Sequence, residues 1–325
     1  MRDPRKLNRL ASVAILPILV LTIVLLNRAV DRPDEPGEPP VAGEMVVASL
    51  RDELLAFYRF EGERIVESRL ALPGPPHELV AVNGRLYVTL GRANRLVEIE
   101  PGAPGILRTL HLDGEPHGLD HADGRLYVTL DRGHSLVAID LASFEVVARY
   151  DTGDTPHAVA IADGIAYVTD SRDGALRAID LASGGATTLA TGAMPESVAV
   201  VGDLVAVANA HDGTLAVVSR ESLSLARRFA VGAGPTRVVL LAGDSVAVAL
   251  NGSDEVVVVD PGEDEVRRRL DVPPRPDGLC LSPDGAHLAV AANGADAAMI
   301  IDTAIWRPAL TLRVPAGPGS CLWLP

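Results

Sequence analysis

Residues 156–169 read PHAVAIADGIAYVT: a proline, a run of small apolar residues, an Asp-Gly pair and a Tyr-Val-Thr. Asp163-Gly164 between two apolar runs is the chemistry of a tight β-hairpin, whose turn needs positive φ at both central positions. The same order recurs at residues 116–129, where Asp123-Gly124 separates Pro116 from Tyr127-Val128-Thr129, and at residues 76–89, with Asn83-Gly84 and Tyr87-Val88-Thr89. A proline opens an apolar run at Pro76, Pro116, Pro156, Pro195, Pro235, Pro276 and Pro318, in steps of 40, 40, 39, 40, 41 and 42 residues. Each step holds four strands of about 5–6 residues with their turns, and a period of roughly 40–45 residues without helical patterning belongs to a propeller. The sequence therefore predicts an all-β, seven-bladed β-propeller.

Within each repeat the second strand is followed by a charged loop and a third strand (residues 96–99, 136–139, 176–179 and 256–259). A fourth strand then leads to the next proline. Six repeats are complete, and the two ends supply the seventh. Residues 45–49, 55–59 and 65–72 fall in the registers of second, third and fourth strands, while residues 318–323 provide the missing first strand. The C-terminal strand is thus expected to close the ring over residues 45–325. An amphipathic helix over residues 48–60 is the rival reading of that segment.

These repeats resemble the YVTN family of seven-bladed propellers, on the strength of Tyr-Val-Thr at 87, 127 and 167, Val207-Ala208-Asn209, Ser282-Pro283-Asp284-Gly285, Ala138-Ile139-Asp140 and Ala178-Ile179-Asp180. The resemblance implies the fold. It implies little about activity, because that family mixes surface-layer modules, binding proteins and lactonase-like or lyase-like relatives.

Composition narrows the chemistry. The chain is 48% hydrophobic and 3% aromatic, so a large core must be built from Val, Leu, Ile and Ala, which suits stacked sheets. Lys6 is the one lysine, which excludes a lysine Schiff base or a Walker phosphate loop in the folded domain. The formal charge of −14 argues against nucleic acid as a partner, since a phosphate backbone calls for a basic stripe. No Gly-x-Ser-x-Gly elbow and no dinucleotide fingerprint is present.

Residues 10–26 carry no charge and follow Arg2, Arg5, Lys6 and Arg9. The sequence predicts a cytoplasmic segment over 1–9 and one transmembrane helix over 10–28, acting as an uncleaved signal anchor. The positive-inside rule then places residues 29–325 outside the cytoplasm, on a single-pass cell-membrane protein. A cleaved signal peptide is the competing reading. Residues 29–44, with their prolines and acids, read as an extended linker.

Candidate function gathers where the blade connections and the loops between second and third strands emerge together. Directly after the blade-opening prolines stand His77, His117, His157, Glu196 and Asp277. Three imidazoles at equivalent offsets could share a divalent metal, with the acids completing its shell, or each could simply hydrogen-bond a loop. Arg237, one position further along, would neutralise nearby Glu196 and Asp277 or clamp an anion. Asp120 and His121 replace a small apolar pair in the second repeat, so they mark either a site in the channel or buried groups satisfied by backbone and water. Cys280 and Cys321 would face each other across adjacent blades as a disulfide, or stay as two buried thiols. The function expected is a binding module for a protein, glycan or small ligand. The alternative is a lactonase-like hydrolase or lyase using the axial histidines and acids with a divalent metal.

Overall fold

A computed structural model describes residues 21–23, 41–263 and 265–325. The described residues of 41–325 form seven antiparallel sheets arranged around an axis, six of them built from consecutive strands ordered from the axis outward and the seventh from both ends of the chain. Blade one comprises Leu79–Val82, Arg85–Leu90, Arg95–Glu100 and Gly105–His111. Blades two to six open with the inner strands Pro116–Ala122, Pro156–Ala162, Pro195–Val201, Pro235–Leu240 and Pro276–Leu281.

Burial explains why the middle strands lack polar alternation. Neighbouring blades cover both faces, so Leu86 to Leu90 and Val246–Leu250 are buried at every position, as sheets covered on both sides require. The outer strand Glu145–Asp151 is exposed or half-buried throughout. The cores lie between blades: Tyr87 of blade one packs with Leu126, Val128, Val137 and Phe144 of blade two. Asn83-Gly84, Asp123-Gly124 and Asp163-Gly164 have positive φ at both positions, the turn their sequence calls for.

The ring closes as its ends suggested. Pro318–Leu324 pairs antiparallel with Gly43–Ser49, which pairs with Leu54–Glu61 and then Arg64–Ala71. Residues 48–60 are therefore two strands and a turn, and the helical reading falls. Cys280 and Cys321 form a disulfide between the innermost strands of blades six and seven, with Cα atoms 5.7 Å apart, so the free-thiol reading falls too. The bridge sits in a cluster with Met45, Tyr58 and Trp323.

The expected anchor over 10–28 and most of the linker lie outside the described residues. Leu21–Ile23 is the exception within the anchor: it forms a short strand along the outer edge Arg64–Ala71, where a helix was expected. Among the described residues no helix is long and apolar enough to cross a membrane.

Candidate functional site at the propeller axis

The residue after each blade-opening proline rings the axis, because every inner strand begins on the face where the blade connections emerge. Just after the proline, the inner strands of blades two to seven shift register against their second strands. Such bulges leave extra backbone unpaired and re-aim side chains. In blade two the Thr of Tyr-Val-Thr fills the gap. Thr129 Oγ1 accepts from Gly118 N at 2.7 Å and donates to the His157 carbonyl at 2.9 Å. Thr89 likewise accepts from Glu78 N at 3.0 Å and donates to the His117 carbonyl at 2.7 Å. Ser320 Oγ, in blade seven, donates to the His77 carbonyl at 2.5 Å. A hydroxyl from the preceding blade thus fixes the backbone of each axial histidine. Gly118 is required at its position, since a Cβ there would collide with the His157 carbonyl.

The three imidazoles come together as a stack. Ring centroids of His77 and His117 lie 4.5 Å apart, and those of His117 and His157 3.9 Å, tilted by 45° and 38°. His157 Nδ1 donates to the Glu196 carbonyl at 2.8 Å, and its Nε2 lies 3.5 Å from Glu196 Oε2. Burial pushes the His77 imidazole below its ordinary pKa and the His117 imidazole well below. For His117 the neighbouring rings and Arg237 push the same way. Both are therefore neutral at pH 7.

Carboxylates and one guanidinium occupy the other side of the ring. Arg237 Nη2 lies 2.6 Å from Glu78 Oε1, and its Nε donates to the Asp277 carbonyl at 3.4 Å. Burial opposes the Arg237 charge, yet Glu78, Asp277 and Glu196 together hold its pKa above the ordinary value. Burial raises the Asp277 carboxyl, against the pull of Arg237. Among the described residues, His117 Nδ1, Asp131 Oδ1 and Thr236 Oγ1 around the ring are buried without a partner, as are Asp170 Oδ1 and Asn209 Oδ1 at the strand ends of the same face.

Several expectations change against this geometry. The shared-metal arrangement of His77, His117 and His157 does not form: the rings stack, and among the described residues no group of three or more His, Cys, Asp or Glu is placed to hold a metal ion. Asp120 and His121 are not part of the axial ring. They lie three and four residues beyond His117, roughly 10–13 Å along the strand. Asp120 accepts from the backbone N–H of His121 (2.8 Å) and of Ile161 in the next blade (2.7 Å), while His121 is exposed. Arg237 meets Glu78 directly, a pairing across the ring that sequence offset did not suggest.

The polar loops on this face are mostly structural. Asp212 accepts from Ala193 N, Asp254 from Arg275 N and Asp296 from Gly317 N, so each ties a loop to a blade connection. Asp131 was visible only as part of a charged loop. Its carboxyl, raised by burial and drawn down by His157, joins the axial set.

No family model matches the chain, and no curated protein does. Solved structures do. A functionally unknown protein from Desulfotomaculum acetoxidans superposes with a TM-score of 0.75 at 14% identity, over 86% of this chain and 98% of that one. Virginiamycin B lyase from Staphylococcus aureus gives 0.67 at 18% identity, over 77% and 88%. Hydrazine synthase from Kuenenia stuttgartiensis gives 0.66 at 13%, over 75% and 88%. At such identities the likeness is one of fold, that of an all-β seven-bladed β-propeller.

Proposed function

We propose that this chain is a YVTN-type propeller acting as a binding module, with the axial ring as its site and a small amine-bearing ligand as its occupant. One observation carries the reading: His117 Nδ1, Asp131 Oδ1 and Thr236 Oγ1, around the ring of the stacked imidazoles, are buried and without a partner among the described residues. Buried donors and acceptors are normally satisfied, so a ligand or ordered water belongs there. Charge gives the class. Glu78, Glu196 and Asp277 bring three carboxyl groups to the one guanidinium of the ring, Arg237, and His77 and His117 are neutral, so a cation is favoured over an anion.

The domain would be tethered outside the cytoplasm through residues 10–28. Both Gly43 and Leu324 lie at the face opposite the ring, so a tether leaving residue 43 holds the axial face away from the bilayer. Insertion would replace the short edge pairing of Leu21–Ile23. The Cys280–Cys321 disulfide suits an oxidising compartment.

Thermal shift tests the site. Putrescine and choline are expected to raise the Tm of the wild type but not of Glu196→Gln/Asp277→Asn, with N-acetylglucosamine as the neutral comparator. A sugar-only response, or amine shifts surviving the double replacement, overturns the assignment. A second reading, a lyase or lactonase-like hydrolase, draws on the fold likeness to virginiamycin B lyase and on the His157 imidazole against the Glu196 carboxylate, a pairing suited to proton transfer. Its test is turnover of cyclic esters that is lost in folded His157→Ala.

A further inference from the structure

The slot between the outer halves of adjacent blades recurs around the ring, and two copies of it differ in content. Between blades one and two, Tyr87, Glu98 and Arg108 stand in register on neighbouring strands. Tyr87 Oη donates to Glu98 at 3.3 Å, and Arg108 Nε donates to the other Glu98 oxygen. The Arg108 guanidinium lies 4.5 Å over the Phe144 ring and donates to the carbonyls of Leu141 and Ala142 at 2.9 and 3.1 Å. This slot is full, and its polar groups are paired.

Between blades five and six the same register positions hold Ala247, Val258 and Arg268. Trp306 stands where Phe144 does: both have left-handed φ, 56° and 58°, four residues after Asp302 and Asp140. With a phenol and a carboxyl gone, a cavity of about 380 Å³ opens, lined by Val258, Arg268, Trp306, Ser245 and Thr303. That size is within the range of small-molecule sites. Trp306 is buried, and its indole N–H has no acceptor. Arg267 and Arg269 have carboxylate partners, whereas among the described residues Arg268 has none.

We propose that this cavity binds a small aromatic carboxylate, its ring taking the space that Tyr87 fills in the first slot and its carboxylate meeting Arg268 as Glu98 meets Arg108. The missing groups define the ligand. A ring is called for by the Trp306 surface and an acid by the Arg268 guanidinium, which has no carboxylate partner among the described residues, and Tyr87 next to Glu98 shows that both fit side by side. The site faces away from the axial ring and does not depend on it.

Phenylacetate titrated into a Trp323→Phe background tests this, because Trp306 is then the one tryptophan. We expect saturable quenching, with benzyl alcohol and acetate each binding at least about tenfold more weakly. Arg268→Gln should weaken phenylacetate about tenfold, the scale of a lost charge-assisted contact. Ala247→Tyr/Val258→Glu, which rebuilds the filled slot, should abolish binding, and His157→Ala should leave it unchanged. Quenching that does not saturate by about 10 mM, where binding would contribute under about 3 kcal/mol, overturns the proposal. So does equal binding of benzyl alcohol, or an unaffected Arg268→Gln. Should the double replacement misfold, those two comparisons still decide.

Discussion

Blades one to three and blades four to six carry the same repeat, yet they build their share of the axis differently. In the first half Thr89 and Thr129 hold the inner-strand bulge and reach the next blade, which leaves the axial side chains free to stack as imidazoles. In the second half that position is Ala208, Ala249 or Ala291. No second-strand hydroxyl is present there, and side chains of the inner strands take over the holding. Ser197 Oγ accepts from Val238 N at 3.1 Å, and Arg237 crosses to Glu78. The first half holds backbone with threonine hydroxyls and presents a stack of rings; the second reaches back to the first with charged groups, Arg237 to Glu78 and Glu196 to His157.

Both halves depend on a closed ring, so opening it has the largest expected effect. Removing residues 318–325 strips Gly43–Ser49 of its partner and uncovers the innermost strand of blade six. The loss should match the whole stability of a typical domain, about 5–15 kcal/mol, and leave an aggregating chain. Size-exclusion chromatography checks this. A monomer melting at the parent temperature would mean that closure lies elsewhere.

Next in size is the latch. Cys280 and Cys321 are 41 residues apart, and a loop of that length makes the disulfide worth about 2–4 kcal/mol. Cys280→Ser/Cys321→Ser should therefore melt at a clearly lower temperature. Dithiothreitol should bring the wild type to the same Tm and leave the variant unmoved.

Much of this architecture was legible because its signals are local. Proline spacing, Asn83-Gly84 and its siblings, and the unpaired registers at both ends each follow from a few adjacent residues. The axial site was legible only as a set of positions. Offset from the proline placed His77, His117, His157, Glu196 and Asp277 on one ring, but whether imidazole nitrogens converge or rings stack depends on bulge geometry and blade tilt. Asp120 misled for a related reason: its unusual identity was visible, while the Ile161 N–H that satisfies it comes from the next blade. That partner lies one repeat away, and the Glu78 that meets Arg237 lies across the ring.

The threonine latches can be graded within the first half. Thr129 makes two short bonds, whereas Thr169 accepts from Ala158 N at 2.9 Å and reaches the Ala158 carbonyl only at 3.5 Å, without crossing to the next blade. Thr129→Val strands the Gly118 N–H and the His157 carbonyl and should cost about 1–3 kcal/mol. Thr169→Val should cost less. Equal losses in urea melts would mean that the hydroxyls matter for strand packing alone and that the two halves differ less than their hydrogen bonds suggest.

The smallest effect, and the one that reads the axis most directly, is pH dependence. His77 and His117 have folded pKa values below the ordinary 6.5, chiefly through burial, and His117 faces His77, His157 and Arg237. Above pH 6.5 these imidazoles are neutral in both folded and unfolded chains and contribute nothing to the pH slope. As pH falls through 6.5 the unfolded chain takes up protons that the folded chain refuses, so stability declines. Asp277 works in the opposite sense: its raised carboxyl lets the folded chain bind a proton first, which favours the fold as pH falls toward the carboxylate range. Urea melts of the wild type should lose stability from pH 7 to 5, and His77→Asn/His117→Asn should remove that decline and leave a flat or slightly rising profile. An unchanged decline would place the responsible groups outside the imidazole stack, and the chemical contrast between the two halves of the ring would lose its energetic basis.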